Sequence, residues 1–156
     1  MQNIVEVNYE QTGKSKSTNE FGMRDMQEKA YKERDARFLL LKAPPASGKS
    51  RALMFIALDK LINQGLKKVI VAVPERSIGG SFGATDLKSF GFYANWEVDE
   101  KYNLCTSEES TSKVEAFKEF LSSDEKILIC THATLRFAFD HLDDSKFNNT
   151  LLAIDE

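Results

Sequence analysis

Long apolar runs are missing from this 156-residue sequence. A membrane-crossing helix needs about 20 consecutive apolar residues, and no segment here reads as one. The opening residues, MQNIVEVNYE, also lack the basic-then-apolar build of a secretory signal. Cysteine is scarce. Cys105 and Cys130 are the only two, and their spacing suits neither a metal site nor a disulfide framework, so free thiols in a cytoplasmic chain are the expectation. A basic excess is missing as well: 21 Lys and Arg stand against 24 Asp and Glu, a formal net charge of −3. That excludes a chain-wide electrostatic grip on nucleic acid, and any such contact must be a local patch. With 42% hydrophobic residues, 29% charged and three prolines, what remains is the composition of one globular domain able to bury a core.

Along the chain, IVEVNY alternates as an edge strand would, and QTGKSKSTNE is polar and irregular, so residues 1–20 read as an N-terminal extension. MRDMQEKAYKERDA carries a helical pattern, with Met23, Met26, Ala30 and Tyr31 near one face. RFLLLKA then reads as a buried strand. SGKSRALMFIALDKLINQG reads as a helix, apolar nearly all round and stopped by Gly65, and KKVIVAVP as a second buried strand. The glycine-broken middle is the least legible stretch, with NWEVDEKYNLCT as a candidate short strand. STSKVEAFKEFLSSD is a helix with Val114, Phe117 and Leu121 on one side. KILICT, THATLRFAFDHLDD and TLLAID follow as strand, helix and strand. This alternation predicts an α/β fold with a mostly parallel central sheet in a three-layer arrangement.

The tripeptide GKS occurs twice, at Gly13–Ser15 and Gly48–Ser50. A chance G-K-S/T turns up in roughly one chain in ten of this length, so context must separate the copies. The first is followed by polar residues and no helix, and its Lys14 reads as a solvated side chain. The second lies in LLLKAPPASGKSRALMF, a buried strand, a turn of small residues, then a helix. Small residues let successive backbone N–H groups point at phosphate oxygens, and the helix adds its own free N–H groups and positive dipole end. Lys49 would reach the β- and γ-phosphates of a bound nucleotide and the Ser50 hydroxyl would sit on Mg²⁺. The loop residues Ala43, Pro44, Pro45, Ala46, Ser47 and Gly48 would cradle the phosphates. The sequence ends LLAIDE, an apolar run that reads as a strand buried on both faces and leads to two acids. In a phosphate-loop sheet such a strand supplies the second metal ligand. Asp155 would hold Mg²⁺, and Glu156 would orient or deprotonate the water that attacks the γ-phosphate.

From about Phe21 to Glu156 these motifs resemble the first RecA-like domain of a superfamily 2 DExD/H-box helicase or translocase. That family writes its first motif A-x-x-G-x-G-K-S/T, and APPASGKS matches it except at Ala46, where Gly is usual. MRDMQ resembles the R-x-x-Q element upstream of the loop. By that resemblance Gln27 would read the adenine edge and Arg24 would support it or the phosphates. VAVPERS and ICTHATL resemble segments that touch the nucleic-acid backbone, which implies contacts from Arg76, Ser77, Thr131 and His132. Phe92, Tyr93 and Trp96 could stack on bases, but packing in the core or an insertion is the favoured reading.

The resemblance implies ATP and Mg²⁺ as cofactors and DNA or RNA as the partner of a full-length motor. It also implies that residues 21–156 are one RecA-like domain of a larger protein whose second domain lies elsewhere. The parent would be an ATP-dependent helicase, and the 156 residues alone would have little ATPase activity. Two other readings stay open: another P-loop enzyme, AAA-type or kinase, and a non-catalytic nucleotide-binding interaction module.

Overall fold

The computed structural model describes residues 2–7, 18–106 and 112–156. Lys14 and the first GKS lie outside the described residues. The chain is α/β, and the ladders between its strands are all parallel, as the alternating pattern predicts. The strands form a two-stranded and a three-stranded sheet, and the residues divide into two compact units.

The first unit runs to Gln64 and includes Asp86–Asn95. Strand β1 (Gln2–Glu6) pairs with β2 (Phe38–Lys42) in register from Gln2↔Phe38 to Glu6↔Lys42. The alternating IVEVNY stretch thus does contain a strand. Helix α1 (Asp25–Lys32) buries Met26, Gln27, Ala30 and Tyr31, the i, i+1, i+4 and i+5 positions that share a helix face. Helix α2 (Lys49–Asn63) buries eight consecutive or near-consecutive positions, Ala52 and Met54–Lys60. Its C-cap is Gln64, followed by Gly65 with φ 75°, the left-handed stop expected there. The Phe92 ring packs edge-on against Phe21, Tyr31 and Phe55, so the returning segment Asp86–Asn95 is built into this unit's core.

The second unit holds Gly65–Thr85 and Trp96–Glu156. Its strands lie in the order β4 (Ile127–Thr131), β3 (Lys68–Val73), β5 (Thr150–Ile154). Helices α3 (Arg76–Gly79), α4 (Lys113–Ser122) and α5 (His132–His141) complete it. Ile70, Ala72, Leu128 and Cys130 meet Phe117 and Phe120 of α4 and Leu135 and Ala138 of α5 in one apolar cluster. Both cysteines are free and buried, and burial pushes the Cys130 thiol up to about 12.

Two expectations are corrected. NWEVDEKYNLCT contains no strand: a 3₁₀ turn at Glu100–Tyr102 lies between isolated bridges, Thr85↔Trp96 and Asn103↔Ile129. Nor are the strands in RFLLLKA and TLLAID buried on both faces. Phe38 and Leu40 are 54% and 58% exposed, and Leu152 and Ile154 are 42% and 49% exposed. A continuous apolar run gives the same sequence signal whether one face or both are covered, and among the described residues only one face is.

Candidate functional site

The loop Ala43–Gly48 joins the carboxyl end of β2 to the start of α2. Gly48 is the N-cap in a left-handed conformation, φ 90° and ψ 28°, and has no side chain to cap the first-turn N–H groups. Ala46 also has a positive φ, 58°. The first turn of α2 contains no acidic residue, so its dipole end is not neutralised from within the helix. Ser47 is 4% exposed, and its Oγ has no hydrogen-bond partner among the described residues. A buried hydroxyl left unpaired costs about 1–3 kcal/mol, so Ser47 Oγ is available to a ligand or a water at the start of α2. Lys49 and Ser50 are half-buried on the first turn. Pro45 and Ala46 are exposed, and Ala43 and Pro44 are half-buried.

Helix α1 is locked onto this loop. The Gln27 amide oxygen accepts from the Arg24 backbone N–H at 2.8 Å, half of a capping box. Its Nε2 donates to the Gly48 carbonyl at 3.1 Å. Gln27 is 2% exposed, and among the described residues each end of its amide makes one hydrogen bond of the two it can form. The approach is tight: a Cβ on Gly48 would lie 2.5 Å from Gln27 Nε2 and 3.8 Å from Arg24 Nη1. The structure therefore brings Arg24, Gln27 and the Gly48 turn together within the first unit.

The remaining candidates lie in the second unit, at one edge of its sheet. All three strands run parallel, so their carboxyl ends share that edge, where open α/β sheets place their ligands. Arg76 and Ser77 follow β3 and are exposed. Arg76 Nε donates to the Cys105 carbonyl at 3.0 Å. Thr131 ends β4 and caps α5, its Oγ1 accepting from the Thr134 N–H at 3.2 Å. Asp155 extends β5 by donating its N–H to the Ala72 carbonyl at 2.8 Å. His132 Nε2 lies 2.7 Å from the Asp155 carbonyl oxygen, which ties two segments singled out separately in the sequence. Glu156 is exposed.

Of the aromatics, Trp96 is fully buried with its indole N–H donated to the Phe82 carbonyl, and Phe92 is 3% exposed. Packing is therefore their role. Tyr93 serves a polar cluster that the sequence did not reveal. Asp59 is 4% exposed and accepts from Tyr93 OH (3.0 Å), Tyr31 OH (3.2 Å), Asn63 Nδ2 (2.8 Å) and Gln64 Nε2 (2.7 Å), with Arg34 Nε at 3.4 Å. Burial alone would raise this carboxyl, but the bonds from Gln64, Asn63, Tyr93 and Tyr31 outweigh it and hold it below its ordinary value. Asp59 on an apolar helix was the signal available, since a buried acid requires partners.

No family model and no solved structure matches the chain. A Bacillus subtilis (strain 168) protein carrying the name "Putative ATP-dependent helicase YeeB" is 66% identical over all 156 residues. The chain spans 26%, about a quarter, of that relative's length.

Proposed function

We propose that this chain is the ATP-binding RecA-like portion of an ATP-dependent DNA or RNA helicase or translocase of the DExD/H-box kind. The observation that carries the reading is the Ala43–Ser50 loop, where a left-handed Gly48, an acid-free helix start and the orphaned Ser47 hydroxyl converge. These residues fit a nucleotide triphosphate chemically: they supply N–H donors, an ammonium and hydroxyls, and no competing carboxylate in the first turn. The similarity to a relative named as a helicase supports the same reading.

In this proposal Lys49 neutralises the β- and γ-phosphates, and Ser50 and Asp155 hold Mg²⁺. Glu156 orients the attacking water. Gln27 and Arg24 fix the loop and face the base or phosphates, while Arg76, Ser77, Thr131 and His132 meet a nucleic-acid strand. The motor would be cytoplasmic and completed by a second RecA-like domain.

Binding of Mg-ATP to the purified chain, followed by titration calorimetry, tests the site. Lys49→Ala should weaken it at least about tenfold, the loss of a charge-assisted contact worth roughly 1.5–3 kcal/mol. Unchanged affinity would show that the phosphate contact is idle and would favour a non-catalytic module. Turnover by the chain alone should be slow, because an arginine finger from elsewhere is worth about 10³–10⁵ in rate in such hydrolases. Brisk, nucleic-acid-stimulated hydrolysis by these 156 residues would overturn that part.

A further inference from the structure

Phe90 sits on the segment Asp86–Asn95 and is 59% exposed, although its neighbour Phe92 is buried in the first unit's core. A single exposed apolar side chain normally needs no explanation. Phe90 differs in how firmly it is held and in what holds it. The backbone crosses residues 20–22 at close range: a Cβ on Gly22 would lie 2.7 Å from the Phe90 carbonyl oxygen, and one on Gly91 would lie 2.0 Å from that of Glu20. Both glycines have positive φ, 76° and 111°, which side-chain-bearing residues rarely adopt. This crossing fixes Phe90 to the chain that leads, two residues after Gly22, into Arg24 and the Gln27 cap. The Arg51 guanidinium lies over the ring, 5.5 Å from its centroid. Arg51 is the third residue after Gly48, on the first turn of the phosphate-loop helix.

We infer that Phe90, backed by Arg51, is a stacking platform for the base of the nucleotide whose phosphates occupy the Ala43–Ser50 loop. The inference rests on the phosphate-loop reading above. The chemistry matches on three counts. A largely exposed ring offers stacking to any planar base, a guanidinium over the same ring adds a cation–π partner, and the Arg24–Gln27 pair beside Gly48 supplies hydrogen-bonding edges. The platform would give the site affinity for nucleosides that triphosphate alone lacks, with little discrimination among bases, since every base has a π-face.

Calorimetric titration of the 156-residue chain with Mg-ATP and, separately, with Mg-tripolyphosphate separates the two readings. Phe90→Ala should weaken ATP by about tenfold and leave tripolyphosphate within about twofold, and Phe90→Trp should restore ATP binding. Arg51→Ala should weaken ATP by a smaller factor, in the same selective way. If Lys49→Ala abolishes binding of both probes while Phe90→Ala changes neither, the platform is refuted and the phosphate loop stands. Equal weakening of both probes by Phe90→Ala would also refute it, since the ring would then act on the fold of the loop. Should wild type bind neither probe, the phosphate-loop reading fails and the platform falls with it.

Discussion

At the scale of single residues, two positions carry more strain or more bonds than their neighbours. Ala46 holds φ 58° where a Cβ costs about 1–2 kcal/mol, while glycine would cost about 0.5–1 kcal/mol in unfolded-state entropy. The difference favours glycine, so Ala46→Gly should stabilise the chain by roughly 0.5–1 kcal/mol in urea denaturation. A loss of stability would show that the Ala46 methyl makes a contact worth more than the strain. Asp59 is the opposite case, a buried acid satisfied from five directions. Asp59→Ala should cost about 2–4 kcal/mol, because it strands four donors and the Arg34 charge in a dry cluster. Its carboxyl is depressed in the folded state, so its contribution is present above the unfolded value near 3.9 and is lost as pH falls through the lower folded value. Denaturation across pH 2–6 should therefore show the stability gap between wild type and Asp59→Asn narrowing below about pH 4.

At the scale of elements, legibility followed periodicity. Helices α1 and α2 and strand β3 were read within a few residues because apolar spacing and a terminating glycine or proline mark them. The turn at Ala43–Gly48 was legible because GKS fell between a strand and a helix. Residues 76–106 were not, because their order comes from bonds without a period. Asn95 Oδ1 accepts from both the Leu87 and Lys88 N–H groups, at 2.8 and 2.9 Å, and Trp96 donates to the Phe82 carbonyl. No hydropathy pattern encodes such anchors, and the dense FGFY run was the one visible sign of a packed segment. The crossing at Gly91 makes this element testable. Gly91→Ala would force a methyl to within 2.0 Å of the Glu20 carbonyl at φ 111°, so the segment must move. Amide exchange across residues 86–95 should accelerate at least about tenfold, while the protection of α4 stays unchanged. Acceleration spread evenly over the chain would instead mean global destabilisation.

At the scale of the whole molecule, charge sets the terms for any nucleic-acid contact. A net charge of −3 opposes approach of a polyanion, and the sheet edge that carries Arg76, Thr131 and His132 also carries Asp155 and Glu156. Binding must then rely on few phosphates, and the salt slope counts them. Each phosphate neutralised on a single strand contributes about −0.7 to the slope of log K against log salt. With Arg76 the one formally cationic side chain among the four proposed contacts, the slope should be shallow, between about −0.7 and −1.5, and affinity weak at physiological salt. Arg76→Ala should lower its magnitude by about 0.7, whereas Thr131→Ala, which removes a neutral contact and the α5 cap, should weaken binding without changing the slope. Fluorescence anisotropy of a labelled single strand over a salt series reads both quantities. A slope unaltered by Arg76→Ala would place the strand elsewhere on the molecule. A steep slope near −4 would mean that a basic surface outside these four residues does the binding.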